Sequence, residues 1–224
     1  MRRFVRHNGL SLVFLGLFLA ALVLQAIAGL AEFNEQQDMH GDPHVSMWRY
    51  LTSSAFGAAV MENWQSEYLQ FTLFALLTVW LLQRGSPESK ALGRAGRGSD
   101  REQLVGEHAR DDSPRWARAV GLRRRLYENS LLLVMATIWI GTWFAQSITG
   151  VTEYNAERLT HQEDTLSWLE YLGSANFWER TLQNWQSEFL AVGSLAIFAV
   201  YLRQRGSPES KPVGAAHHET GVEG

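Results

Sequence analysis

The chain contains no cysteine. A disulfide framework, a thiol nucleophile and a zinc–thiolate centre are therefore excluded. Disulfide-free loops occur on both faces of membranes, so this absence leaves the compartment open. Surplus positive charge is also missing. Twenty Lys and Arg against 23 Asp and Glu give a net charge of −3, which carries no signal for nucleic acid as a partner. No nucleophile elbow, P-loop or dinucleotide-binding glycine motif occurs. Basic residues are scarce in particular places too. Only Arg49, Arg158 and Arg180 lie outside the N-terminus, the 84–125 region and the C-terminal region, which hold the other seventeen.

What is present is segregated. The composition is 46% hydrophobic with nine Trp, yet the mean hydropathy is −0.15. That average hides four apolar blocks separated by charged gaps. Shifting the chain by 121 residues aligns 8–90 with 129–211 without a gap, with 32 identities in 83 positions. Internal duplication accounts for this density. Many apolar positions have drifted within their class. Retained polar letters include Gln25/Gln146, Glu32/Glu153, Asn34/Asn155, His40/His161 and Gln83 to Lys90 against Gln204 to Lys211.

The central retained stretch is Asn63-Trp64-Gln65-Ser66-Glu67, repeated as Asn184-Trp185-Gln186-Ser187-Glu188. Each copy precedes an apolar run, Tyr68 to Leu82 or Phe189 to Leu202, of 15 or 14 residues. As helix these runs cover roughly 21–23 Å, short of a hydrocarbon core of about 30 Å. If they span, the pentapeptide is drawn into or against the outer leaflet. Residues 9–31 and 130–152 reach roughly 35 Å each and span unaided. The basic start and Ala26-Ile27-Ala28 also fit a cleaved signal peptide. The matching segment lies mid-chain, which favours an anchor.

The fold class expected is all-α: an integral membrane four-helix bundle of two tandem, parallel-oriented two-span repeats with short external amphipathic helices. The units are 1–90, a flexible cytoplasmic linker at 91–126 with a basic amphipathic end, 127–211, and a disordered tail at 212–224. Positive charge places both termini and the linker in the cytoplasm. The halves are then related by a pseudo-twofold axis along the membrane normal. The second helices are expected from about Gly57 to Gln83 and about Asn176 to Arg203. Residues 33–45 read as a polar, turn-rich loop containing Gly41-Asp42-Pro43. Segments 46–58 and 167–178 read as surface helices or re-entrant ones, and Ser167 and Glu170 have capping-box spacing. Gly85 suits a left-handed helix cap before Pro87, though a simple stop signal leaves the eight-letter recurrence unexplained. A docking contact between the halves, or with a partner, is the further reading.

Asn63 and Glu67 are spaced i, i+4 and are expected to face the bundle interior with Asn184 and Glu188. Gln25 and Gln146 lie at similar depth, and Glu32 and Glu153 end the first helix of each repeat. Three functions fit. The first is a small channel- or transporter-like protein with Glu67 and Glu188 as ion or proton groups. The second is a non-catalytic scaffold or accessory subunit in which amides and hydroxyls hold helices together. The third is a metal–carboxylate membrane enzyme using His40 and His161, although the Glu-x-x-His spacing of that class is missing. No cofactor is expected. The partners expected are the lipid bilayer and a second copy or another protein.

The pair N-W-Q-S-E-[YF]-L and R-G-S-P-E-S-K occurs in that order at 63–69 and 84–90, and again at 184–190 and 205–211. It resembles an uncharacterised family of bacterial membrane proteins known only as a domain of unknown function. The resemblance implies a location in the bacterial inner membrane. It supplies no activity, cofactor or catalytic residue.

Overall fold

The computed structural model describes residues 2–222. Those residues form helices and turns, with no strand among them. In chain order the helices are α1 (Arg2–His7), α2 (Gly9–His40), α3 (Met47–Leu51), α4 (Ser54–Leu77), α5 (Gly121–Glu128), α6 (Ser130–Thr160), α7 (Trp168–Leu172) and α8 (Ala175–Tyr201). Two 3-10 turns, Gly106–His108 and Arg115–Arg118, interrupt the segment before α5. Two helices, α2 and α6, are long and apolar enough to cross a membrane. The polar pentapeptides leave α4 and α8 less apolar.

The chain divides into two compact units. The first is Met1–Met61 with Ala145–Tyr171, and the second is Glu62–Phe144 with Leu172–Gly224. In the first unit, α2 does not stop at Ala31 as its apolar run does. It continues to His40, so His40 is helical rather than in the expected loop. Its 32 residues measure about 48 Å, and the polar last turns extend past any span of hydrocarbon thickness. Gly41 closes the helix at φ 74°, with its N–H donating to the Asp38 carbonyl. Only a residue that tolerates the left-handed region fits there.

The chain then folds back through an elbow built alike at corresponding positions. The Val45 N–H donates to Asn34 Oδ1 at 2.8 Å, and Asn34 Nδ2 donates to the Val45 carbonyl at 3.2 Å. Asn155 binds both backbone groups of Leu166, each at 2.8 Å. Each asparagine thus satisfies a donor and an acceptor that the loop would otherwise leave without a partner. Tyr50 and Tyr171 fold over Gly29 and Gly150, where a Cβ would run into the phenol hydroxyl. Ser46 caps α3, and the expected capping box forms at α7, with Ser167 Oγ donating to Glu170 Oε2 at 2.7 Å.

In the second unit α4 ends at Leu77, short of the expected Gln83. Its last turns are taken over by the following segment: the Gly96 N–H donates to the Val79 carbonyl at 2.6 Å. α8 ends at Tyr201, close to its expected end. Tryptophans and Phe177 cluster around Trp143, with Trp139, Trp178 and Trp185 ring centroids 5.6 to 6.1 Å away. Within the segment expected to be flexible, α5 is tied down by Arg124, which pairs with Asp100 and Glu128.

Candidate polar sites and family

The pentapeptide of α4 does not present the face expected of it. Gln65 and Ser66 are buried, while Asn63 and Glu67 are exposed. Asn63 and Glu67 flank Gln65 by two residues, about 200° away around a helix. Gln65, Leu69 and Thr72, at helical spacing, form the inward stripe instead. The second copy is used differently. Asn184, Trp185 and Glu188 are half-buried, and Gln186 and Ser187 are exposed.

The two copies meet. Trp185 Nε1 donates to Gln65 Oε1 at 2.8 Å, joining α8 to α4. Glu188 lies beside Ser66 and close enough to Glu67 to feel its charge. A third link has no counterpart in the repeat. Arg180 Nε pairs with Glu62 Oε1 at 2.5 Å, both largely buried. Sequence reasoning missed it, because Arg180 and Glu62 align with Ala59 and Gln183. The signal was an acidic residue directly before one pentapeptide and a basic residue four before the other. Amide, indole and ion-pair contacts thus join α4 to α8 along one seam.

The remaining expected site residues scatter. Glu32 is exposed and accepts from Gln36 Nε2 at 3.1 Å. Gln25 is half-buried. Gln146 is almost fully buried, and neither polar atom of its amide has a hydrogen-bond partner among the described residues. Glu153 acts on Tyr50, whose hydroxyl is held above its ordinary pKa, first by burial and then by the Glu153 charge. His40 and His161 line one cavity of about 550 Å³ with Glu153, Glu157 and Asp42, all within the first unit. No group of three or more His, Asp or Glu among the described residues is arranged to hold a metal ion, so the metal–carboxylate reading has no ligand set.

The two R-G-S-P-E-S-K segments explain their own recurrence. In each, a tight turn forms, with the Ser86 N–H donating to the Gln83 carbonyl and the Ser207 N–H to the Gln204 carbonyl, both at 3.1 Å. Gly85 and Gly206 sit at φ 86° and 80° as the third residue of these turns. They are turn glycines and not helix caps, since the helices end earlier. Ser89 Oγ and Ser210 Oγ then accept from the Gln83 and Gln204 N–H groups, each at 2.9 Å. Glu88 and Glu209 are hydrogen-bonded carboxyl to carboxyl, and Glu88 is pushed up to about 7. The Glu209 hydrogen bond is the largest cause, followed by partial burial and the Glu209 charge.

Residues 212–222, expected to be without fixed structure, are held against both segments. Lys211 is buried, and its Nζ donates to the carbonyls of Ala216, His217 and Glu219 at 3.1, 2.9 and 3.2 Å. Burial, more than the nearby Arg203, lowers its pKa. The Gly221 N–H reaches the Ser86 carbonyl at 3.0 Å, and Thr220 Oγ1 accepts from the Gly85 N–H at 2.8 Å.

No curated protein and no solved structure matches the chain. The model of the family described as Domain of unknown function (DUF6766) matches residues 1–222. The chain, matched over nearly its whole length, belongs to that family.

Proposed function

We propose that this is a multi-pass protein of the bacterial inner membrane that serves as a non-catalytic scaffold or accessory subunit, with the pentapeptides as the seam between α4 and α8. The observation that carries the reading is the Trp185–Gln65 hydrogen bond beside the Arg180–Glu62 ion pair. Groups committed to one another across a helix pair are poor carriers of a passing ion.

Four spans, two per repeat and related by a pseudo-twofold axis, suit the helix lengths. α4 and α8, at 24 and 27 residues, measure about 36 and 41 Å, enough to cross even though their apolar runs are short. Lipid contact suits the surface of the chain. Leu10, Leu24 and Leu131 are 75%, 65% and 62% exposed on helices with few buried positions, a pattern that water would not tolerate over such a length. The remaining apolar surface would take a second copy or a partner subunit. Both termini and the 91–126 segment lie on the cytoplasmic side. The natural lack of cysteine makes this directly testable. Single cysteines at Ser53 and Ser99 should react with a membrane-impermeant maleimide from opposite faces.

A channel- or transporter-like protein is the second reading, favoured by the proximity of Glu67 and Glu188. Glu67→Gln with Glu188→Gln separates the two. Normal folding with unchanged ion and proton flux in vesicles supports the scaffold. Normal folding with abolished flux overturns it and installs transport.

A further inference from the structure

We propose that the cavity between the C-terminal turns of α2 and α6 binds a small organic polycation, a molecule with two or more amino groups joined by short methylene chains. Its volume of about 550 Å³ falls inside the roughly 300–1,000 Å³ range of small-molecule sites. Three carboxylates line it, Asp42, Glu153 and Glu157, and no Lys or Arg does. The nearest basic residue of the same helix, Arg158, is turned elsewhere. Its guanidinium pairs with Glu163 at 3.0 Å and donates to the Asp164 carbonyl at 2.6 Å.

The lining also decides which cation. A bare metal ion needs several ligands converging on one point, and no such convergence exists among the described residues. The negative charge is instead spread around a space the size of an organic molecule. Phe33, Ala55 and Ala156 supply apolar wall between the carboxylates. Methylene chains fit such wall, and ammonium groups fit the carboxylates between. His40 Nδ1 lies 2.7 Å from the Gln36 carbonyl, which can only accept, so Nδ1 donates there and Nε2 is the ring nitrogen left for a ligand. The Ser53, Ser54 and Thr160 hydroxyls complete a rim that accepts N–H donors. An anion would meet three like charges.

This inference does not rest on the scaffold reading, since the cavity contains no pentapeptide residue, and the flux and binding experiments can fail separately. The test is calorimetric titration of the full-length protein in non-ionic detergent with spermidine, N8-acetylspermidine, magnesium ion and glutarate. Spermidine is expected to bind saturably at one site. Loss of one charge in N8-acetylspermidine should weaken binding about tenfold, as loss of a charged hydrogen bond does. Asp42→Asn with Glu157→Gln should weaken spermidine by a similar factor while leaving helical circular dichroism unchanged. Should that variant misfold, the acetylated ligand on the unaltered protein still decides. No saturable spermidine binding, equal affinity for both polyamines, or tighter binding of magnesium or glutarate would each overturn the proposal.

Discussion

The elbow and the pentapeptide teach opposite lessons about recurring letters. At the elbow, Asn34 and Asn155, Gly29 and Gly150, and Tyr50 and Tyr171 make the same contacts at both copies. Each letter is fixed by a local backbone need: a loop whose N–H and C=O must be satisfied, or a helix face with no room for a Cβ. In the pentapeptide, five identical letters meet different surroundings. Gln65 is wholly buried and bonded to Trp185, whereas Gln186 is exposed. Identity there records a contact made between the copies, in which each copy plays a different part.

The elbow's equality can be broken hardest by adding volume. A Cβ at Gly150 would lie 2.5 Å from the Tyr171 hydroxyl, and one at Gly29 would be nearer still to Tyr50. Gly29→Val and Gly150→Val should each destabilise by about 3 kcal/mol, the upper range of overpacking. Thermal unfolding in detergent should show matched losses. A loss at only one glycine would mean that the two elbows are not equivalent.

The pentapeptide's inequality is tested next. Gln65→Ala should cost about 2 kcal/mol, since it empties a fully buried amide site and strands the half-buried Trp185 N–H, while Gln186→Ala should stay within about 0.5 kcal/mol. Equal losses, measured in the same unfolding assay, would end the distinction between the two copies.

Local rules were legible in the sequence. The long apolar helices, the Gly41 turn, the Ser167–Glu170 capping box and the paired recurrences all follow from neighbours a few residues apart. What escaped was non-local. The apolar run continues to Leu82, yet α4 stops at Leu77, and the distant Gly96 takes up the Val79 carbonyl. The inward face of α4 was misassigned because polar residues at i, i+4 suggested a site, when an amide two residues along met the indole of α8. The Arg180–Glu62 pair has no repeat partner and so left no mark in a self-comparison. Asn34 stood out only as a retained letter, because the partner that explains it, Val45, lies across a turn.

The R-G-S-P-E-S-K segments sharpen the comparison in a third way, because here the same letter of each copy meets itself. Glu88 and Glu209 can stay hydrogen-bonded only while the pair keeps a proton, since two carboxylates have no donor between them. Glu88 is raised from an ordinary 4.5 to about 7. A carboxyl raised by folding stabilises fully below its unfolded value, and that contribution is lost as pH climbs through the folded one. The contact should therefore be intact near pH 4.5 and open as pH passes about 7. Lys90, Arg94 and Glu102 line the same hollow as Glu88 and set the background charge. Protection factors at 83–90, which are exchange rates corrected for the intrinsic rise of amide exchange with pH, should fall over this window in the wild-type protein. Glu88→Gln carries a permanent amide donor to Glu209, so its protection factors should be flat with pH and high at pH 8. Flat protection factors in the wild type would show that the two segments do not share a proton, and that they recur for their serine-closed turns alone.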